Sequence, residues 1–351
     1  MDATTLRIID ANLNRATEGL RLLEEHARLA ISDETLTAQV KGLRHALADV
    51  GKAFGRDALL TARDIQHDVG TMLSTDAERT RTSTADVAGA AAKRAAESLR
   101  CIEEYGKIIN REAAARAEQL RYKVYAIEQS ILIAGPRRSK LNAARLHVII
   151  TEALCDGSWL TVCEQAIAGG ADVLQLREKA IDDRELLDRA GKLRALTRDR
   201  DVLLIINDRA DIARLVDADG VHVGQHDLSV SEARQIAGPH LLVGASTHSI
   251  AEAHDMLQQR PDYIAVGPMF SSRTKPDVAV QGPPLLENVT ALADLPVVAI
   301  GGITQDNVTS LKAHRSFQIA VCQAVIRTRD TTDATRDLKQ LLISESRDSA
   351  D

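Results

Sequence analysis

The sequence predicts an α/β protein in two parts, an all-α helical bundle domain followed by a (β/α)8 barrel of the TIM type. Three observations predict it. All eight prolines of the 351-residue chain lie at or after Pro136. The proline-free part repeats apolar side chains at three- and four-residue steps, as amphipathic helices do. After residue 144, apolar runs alternate with helical patterns eight times, and eight such units in about 210 residues favour a barrel over a doubly wound sheet.

The helical domain is predicted over residues 1–135, a polar linker over 136–143 and the barrel over 144–351. The linker follows a Gly-Pro pair, which ends a helical pattern. Helical patterns of the first domain cover residues 6–31, 33–54, 84–109 and 111–133, with a long polar connection over 55–83. Strand candidates of the second domain are residues 146–150, 172–177, 202–207, 220–224, 241–245, 263–267, 297–301 and 319–322.

Two helical segments of the first domain resemble each other. Residues 15–25 and 94–104 share Arg, Ala, Glu, Leu, Arg, Glu and Glu at identical offsets, which indicates an internal duplication. One interpretation is a pseudo-two-fold bundle in which the repeated Arg and Glu residues meet across an axis. The other is support within each helix, with Glu18 beside Arg21 and Glu24 beside Arg28.

Composition excludes several classes of protein. The longest apolar runs have about five residues, far fewer than the roughly 20 of a membrane span, and the first residues do not resemble a secretory signal. Four cysteines without a Cys-x-x-Cys pair indicate a reducing compartment, with the cytoplasm as the default, and argue against structural zinc. A net charge of −6 with few aromatic residues gives no basic face for nucleic acid. An anionic substrate would therefore need local cations.

Polar residues follow the predicted strands, which is where active sites of (β/α)8 barrels lie. After the second strand, alternation places Gln175, Arg177 and Lys179 on the same side. Two cations beside an amide suit a phosphorylated, nitrogen-rich substrate, and a surface ladder of salt bridges is the alternative. Asp208 and Asp227 follow the third and fourth strands. Paired carboxylates there suit Mg²⁺, with helix N-capping as the alternative.

Hydroxyl groups and glycines follow the later strands. Ser246 follows the fifth strand together with His248, which we expect to be structural or solvated because no triad spacing supports nucleophilic catalysis. A loop over residues 267–275 carries three hydroxyl groups and two cations that suit phosphate. Gly301 and Gly302 follow the seventh strand, where backbone N–H groups of such barrels bind phosphate.

Taken together, five motifs resemble those of thiamine phosphate synthases in order and in spacing, over about residues 144–328. The motifs are Gln175-Leu-Arg-Glu-Lys179, Ile206-Asn-Asp208, Gly220-Val-His-Val-Gly-Gln-His-Asp227, Val266-Gly-Pro-x-Phe270 with Thr274-Lys275, and Ala299-Ile-Gly-Gly-Ile303. That family of transferases joins a hydroxymethylpyrimidine diphosphate to a thiazole phosphate, and it releases pyrophosphate by a dissociative mechanism. The pyrimidine cation needs no protein nucleophile.

The resemblance implies a role for each matching residue. Gln175 would bind the pyrimidine, and Asp208 and Asp227 would hold Mg²⁺. The diphosphate would be bound by Arg177, Lys179, Asn207, Ser246 and Lys275. The thiazole phosphate would be bound by Ser272, Thr274, Gly302, Cys322 and Gln323. Growing negative charge on the leaving pyrophosphate would be stabilised by Mg²⁺ and by the catalytic cations Arg177, Lys179 and Lys275.

Two departures from the family pattern concern the thiazole pocket. The family usually has a glycine before the eighth strand and a serine at its end, where this chain has Phe317-Gln318 and Cys322-Gln323. Ser271-Ser272 replaces the family's Pro-Thr and keeps a hydroxyl group.

The helical half resembles the extension fused to some thiamine phosphate synthases, through Asp10-Ala-Asn-Leu-Asn-Arg-Ala16 and Asp68-Val-Gly-Thr71. Related domains are proposed hydroxymethylpyrimidine phosphate kinases. The sequence has no G-x-x-x-x-G-K phosphate loop, so kinase activity and a structural, dimerising or substrate-retaining role both stay open.

Two other functions of the barrel are a thiazole tautomerase and a non-catalytic sensor of thiamine phosphates. The paired carboxylates and the full set of cations argue against both. The expected partners are the pyrimidine diphosphate and the thiazole phosphate, without nucleic acid or membrane, and a homo-oligomer is left open.

Overall fold

The computed structural model describes residues 2–31, 33–64, 80–238, 240–271, 279–311 and 317–343. The chain divides into two compact units, Met1–Pro136 and Arg137–Asp351. Within the described residues the first unit is helical, and the second is a closed barrel of parallel strands surrounded by helices. The predicted fold class is confirmed.

The helical unit contains four long helices and one short helix within its described residues. They are α1 Ala3–Glu25, α2 Glu34–Lys52, α3 Arg56–Ala62, α4 Thr84–Ile109 and α5 Arg111–Gln129. The side chains of Asp2, Asp33, Ser83 and Asn110 accept backbone N–H groups and so begin α1, α2, α4 and α5. One π-helical turn follows α1 at His26–Ala30, and another follows α5 at Ser130–Ala134.

Helix α3 corrects the prediction of a long polar connection over residues 55–83. The chain turns at Gly55, whose φ of +86° favours glycine, and Leu59 of α3 is buried in the helical core. Residues 65–79, which include the motif Asp68-Val-Gly-Thr71, lie outside the described residues.

Helices α1 and α4 pack closely because Gly19 lies between them. A Cβ atom at Gly19 would lie 2.7 Å from the carbonyl oxygen of Ala91, so a larger residue would push the helices apart. Around this contact the core is formed by fully buried apolar side chains from both helices, among them Ile9, Leu20, Leu23, Leu99 and Ile102.

The duplicated segments make matching pairs within each helix. Arg21 contacts Glu24 and Glu25, and Arg100 likewise contacts Glu103 and Glu104. The intrahelical pairing predicted for Glu24 and Arg28 is wrong, because Arg28 pairs with Glu25.

The more buried glutamate of each repeat also reaches the next helix. Glu24 bonds Arg44 of α2 at 2.8 Å, and Glu103 bonds Arg121 of α5 at 2.9 Å. The duplication therefore relates two helix pairs, α1 with α2 and α4 with α5.

Removing the Glu103 carboxylate is expected to destabilise the helical unit. The side chains of Glu103 and Arg121 are only 3% and 9% exposed, so Glu103→Ala leaves a buried cation without its partner, at a cost of about 3–5 kcal/mol. Hydrogen exchange of the α4 and α5 amides measures this loss. Glu104→Ala is the matched control, because this exposed carboxylate contributes less than about 1 kcal/mol. Equal exchange in both variants would contradict the assignment.

The barrel closes in chain order, and every neighbouring pair of strands is parallel. The strands are β1 Leu146–Ile150, β2 Val173–Leu176, β3 Leu203–Asn207, β4 Gly220–Val223, β5 Leu242–Thr247, β6 Tyr263–Val266, β7 Val297–Ile300 and β8 Gln318–Val321. The helices are α6 Gly135–Ala143, α7 Trp159–Ala168, α8 Asp183–Thr197, α9 Ala210–Leu215, α10 Val230–Ala237, α11 Ile250–Gln258, α12 Pro283–Leu292, α13 Gln323–Ile326 and α14 Thr331–Ile343. All eight predicted strands are confirmed. The apolar runs arise because the strands pack against helices outside and against each other's side chains inside.

The segment predicted as a linker, residues 136–143, is helical. Pro136 is the second residue of α6, which continues directly from the π-helical turn Ser130–Ala134. Arg137 bonds Asp219 at 3.0 Å and Arg138 bonds Asp262 at 2.9 Å. Both carboxylates directly precede strands, so these pairs hold the helix at the end of the barrel where strands begin.

Acid is expected to weaken the barrel through His147, which is 1% exposed inside it. His147 Nε2 lies 2.7 Å from Gln318 Oε1, and burial lowers the pKa of His147 to about 4. The unfolded chain, with a His pKa of about 6.5, then binds more protons, so stability is full above pH 6.5 and falls as pH drops toward 4.

The expected loss from His147 between pH 6.5 and pH 5 is roughly 1.5 kcal/mol. Urea unfolding followed by the fluorescence of Trp159, the single tryptophan, reports the barrel selectively. His147→Gln should reduce this pH dependence by that amount and leave the share of the buried His222, whereas exposed His254→Gln should change nothing. The same slope in all three proteins would contradict the role of His147.

Candidate active site

The carboxyl ends of the strands meet at one end of the barrel, and the structure brings predicted residues of neighbouring strands together there. Gln175 of β2 donates from Nε2 to Oδ1 of Asn207 at the end of β3, at 2.9 Å. Both strands are buried along their lengths, so the two amides lie at the mouth of the barrel interior. Their remaining donors and acceptors suit a nitrogen heterocycle.

Arg177 and Lys179 follow β2 at the same end. The Arg177 N–H donates to the Ile150 carbonyl oxygen at 2.8 Å, which continues the ladder between β1 and β2 beyond the strand. No described residue forms an ion pair with the half-buried Arg177 guanidinium, which is thus available to an anion. The Lys179 ammonium contacts the Asp208 carboxylate.

Asp208 and Asp227 lie beside Lys179, after the ends of β3 and β4. Asp208 has a φ of 63°, a conformation that aspartate tolerates better than most residues, and Asp227 Oδ2 accepts the Gly224 N–H at 2.8 Å. The helices that follow are capped by Arg209 and Ser229. The alternative that these aspartates serve as helix N-caps is therefore excluded.

The two carboxylates shift each other's pKa. Burial raises the pKa of Asp208, and the Asp227 carboxylate adds to this. Partial desolvation raises the pKa of Asp227, but hydrogen bonds with Asp208 and with the Gly224 N–H lower it overall. A hard divalent cation suits such a pair of oxygen ligands. No group of three or more His, Cys, Asp or Glu side chains within the described ranges could hold a metal ion, so water and phosphate oxygens would complete the shell of Mg²⁺.

Sequence reasoning missed His222 and Tyr263, which lie beneath Ser246. His222 Nε2 is 2.9 Å from Ser246 Oγ, and His222 Nδ1 is 3.1 Å from Tyr263 Oη. Burial lowers the pKa of His222 to about 3, so the imidazole is neutral and holds the hydroxyl group of Ser246 in place. The available signal was the alternation of side chains along β4. It places His222 on the same face as Gly220, which is the face toward the barrel interior.

The turn after β7 requires glycine. Gly302 has a φ of +65°, and a Cβ atom there would lie 2.4 Å from the Ser271 carbonyl oxygen of the loop after β6. Asn307 Nδ2 donates to the Gly302 carbonyl oxygen at 2.9 Å and fixes the turn. Cys322 and Gln323 follow the neighbouring strand β8, and burial raises the pKa of Cys322 to about 11.

Three other predicted residues, Ser272, Thr274 and Lys275, lie outside the described residues. His248 donates from Nδ1 to the Gly267 carbonyl oxygen at 2.7 Å, which agrees with a structural role.

Residues 146–325, slightly more than half of the chain, match the family model described as thiamine monophosphate synthase. The chain belongs to the thiamine phosphate synthase family. Its barrel therefore belongs to a family of transferases, and residues 7–130 match the model of the ThiD2 family, whose domains are kinase-like.

Relatives of this family match both units. The thiamine-phosphate synthase of Rhodopirellula baltica is 42% identical over 335 residues, which cover 92% of this chain and 88% of that protein. The thiamine-phosphate synthase of Synechococcus sp. (strain CC9605) is 39% identical over 345 residues, covering 97% and 96%. Among solved structures, the thiamine phosphate pyrophosphorylase from Pyrococcus furiosus aligns with a TM-score of 0.54 and 35% identity, over 59% of this chain and 98% of that one.

A membrane span would need a long apolar helix, and none of the helices in the described part of the chain qualifies.

Proposed function

We propose that the barrel joins 4-amino-2-methyl-5-hydroxymethylpyrimidine diphosphate to thiazole phosphate, forming thiamine phosphate and releasing pyrophosphate with Mg²⁺. One observation carries the proposal. Two interacting carboxylates, Asp208 and Asp227, lie beside Lys179, which contacts Asp208, and Arg177 follows the strand next to theirs at the same end of the barrel. This combination suits a bound diphosphate and its metal ion rather than either substrate ring.

The residues of the site have two roles: one set holds the pyrimidine, and the other stabilises the leaving group. Gln175, held by its hydrogen bond to Asn207, orients the pyrimidine so that its C–O bond points toward the cations. Asp208 and Asp227 would hold Mg²⁺, which would supply further positive charge to the diphosphate. Arg177 and Lys179 stabilise negative charge on the pyrophosphate as the bond breaks, and the thiazole nitrogen captures the carbon.

This dissociative reaction requires no enzyme nucleophile. The nearby Cys322 thiol, whose pKa burial raises to about 11, stays protonated and is a poor nucleophile at neutral pH. We further propose a cytoplasmic location, which the four free thiols of the chain support.

Product analysis on the purified full-length chain tests the proposal. With both substrates and Mg²⁺, pyrophosphate and thiamine phosphate should form in a 1:1 ratio, EDTA should stop the reaction and added Mg²⁺ should restore it. Absence of both products, or full activity in EDTA, would contradict the proposal. A thiazole tautomerase would instead convert its single substrate without releasing pyrophosphate.

For the helical unit we propose the preceding step, phosphorylation of hydroxymethylpyrimidine phosphate. The match to the ThiD2 family over residues 7–130 supports this. The full-length chain, given ATP and the monophosphate but no thiazole phosphate, should accumulate the diphosphate, because the barrel then lacks its second substrate. If no diphosphate forms, the helical unit has the alternative structural role.

A further inference from the structure

We propose that Glu178 is a positioning residue, which fixes Lys179 toward the substrate through a buried ion pair with Arg189. The inference rests on the proposed function and extends it by one residue. The sequence places Glu178 between the two cations, and alternation turns its side chain away from theirs. Its partners therefore belong to the surrounding structure and not to the substrate.

The Glu178 carboxylate is bound from two directions. Oε1 accepts the backbone N–H of Glu152, in the loop after β1, at 2.8 Å, and it accepts from the Arg189 guanidinium of α8 at 2.9 Å. The Glu178 and Arg189 side chains are 6% and 9% exposed. A carboxylate this buried makes its bonds with little competition from water, unlike a surface ion pair.

Arg189 is itself held in place. Its guanidinium lies 5.9 Å from the ring centroid of Trp159 in α7 and also contacts the carboxylates of Glu152 and Glu185. Helix α7 packs against β1 and helix α8 against β3, so Arg189 ties the segment after β2 to rigid elements on either side of it.

Three bonds attach this segment to the end of β1. Two involve the backbone of Arg177: its N–H donates to Ile150 at 2.8 Å, and its carbonyl oxygen accepts from Thr151 Oγ1 at 2.7 Å. The third is the bond from Glu152 to the Glu178 side chain. Lys179 follows directly, and its own side chain is 48% exposed. The Glu178 side chain therefore makes the last buried contact of this segment before Lys179, whose own side chain is not held by packing against the protein.

A double-mutant cycle on the full-length enzyme tests this role. Glu178→Ala is expected to lower kcat on the order of 10-fold, with pyrophosphate release as the readout, because Lys179 loses its fixed geometry. In the Lys179→Ala background the same change should cost less than about 2-fold, because residues that act through each other are not additive. Glu178→Gln keeps the acceptor for the Glu152 N–H and should retain intermediate activity.

Glu185→Ala is the matched control. Glu185 also pairs with Arg189, but its side chain is 47% exposed and does not touch the segment after β2, so activity should be unchanged. Equal losses from Glu178→Ala in both backgrounds would show a purely structural role and overturn the proposal, as would full activity of Glu178→Ala. If this variant fails to fold, Glu178→Gln is carried through the same cycle.

Binding of magnesium pyrophosphate, measured by calorimetry, separates this inference from the proposed function. Weaker binding in Glu178→Ala, on the order of 10-fold, and unchanged binding in Glu185→Ala are expected. A wild-type enzyme that releases no pyrophosphate would overturn the proposed reaction, whereas an active wild type with unchanged binding in Glu178→Ala would overturn only the role of Glu178.

Discussion

Asp227→Asn is expected to lower kcat for thiamine phosphate formation on the order of 10³-fold, and Asp208→Asn should do the same. Asparagine keeps the shape of each side chain and can still accept the Gly224 N–H, and it tolerates the positive φ of Asp208. Each substitution therefore removes only the negative charge of the side chain. The variants should therefore fold normally but need far more Mg²⁺ for half-maximal rate, which a magnesium titration of initial rates measures.

Asp211→Asn is the matched control for the Asp208 and Asp227 variants. Asp211 stands three residues after Asp208 but is exposed and pairs with Arg209, so its loss should leave the magnesium dependence unchanged. Wild-type magnesium dependence in the Asp208 and Asp227 variants would contradict the assignment of the metal to this pair.

Arg177→Ala is expected to lower kcat on the order of 10²-fold, and Lys179→Ala should have a similar effect. No described residue neutralises the half-buried Arg177 guanidinium, so its charge acts in full on a bound anion. The loss should appear in kcat more than in KM, because negative charge on the pyrophosphate grows as the C–O bond breaks.

The control for these cation variants is Arg209→Ala. Arg209 also lies near the end of the barrel strands, but Asp183 and Asp211 neutralise it. Steady-state kinetics should show near wild-type kcat for this variant. Equal losses from Arg177→Ala and Arg209→Ala would mean that general positive charge, and not placed cations, supports the reaction.

The fold could be predicted because the spacing of apolar residues along the sequence differs between strands and helices. Strands that are buried on both faces appear in the sequence as short apolar runs. The helices around them appear as apolar residues spaced three and four positions apart. Active sites of such barrels lie at the carboxyl ends of the strands, and this rule pointed to Gln175, Arg177, Lys179 and the paired aspartates. The structure brings these residues to one end of the barrel, and the chemical role of each stays a prediction until it is measured.

Features that depend on distant partners were not predictable. The polar segment at 136–143 forms a helix because its arginines meet Asp219 and Asp262, which stand far along the chain. His222 meets Tyr263 only once β4, β5 and β6 lie side by side, with Gly244 leaving room for the ring. Closure of the barrel, and not local pattern, decides such contacts.

Interhelical pairing in the first unit follows the same principle. The repeated segments alone suggest that Arg and Glu meet either across an axis or within a helix. The pairs within each helix do form, and the buried Glu24 and Glu103 also bond Arg44 and Arg121 of the helices that follow, which lie outside the repeated segments.

The most direct test of the account is a crystal structure of the enzyme with Mn²⁺ and pyrophosphate, in which anomalous scattering locates the metal. The account predicts one Mn²⁺ within about 2.5 Å of the Asp208 and Asp227 carboxylates, with pyrophosphate oxygens completing its shell beside Arg177 and Lys179. Metal and pyrophosphate bound elsewhere, with these four side chains unliganded, would contradict it.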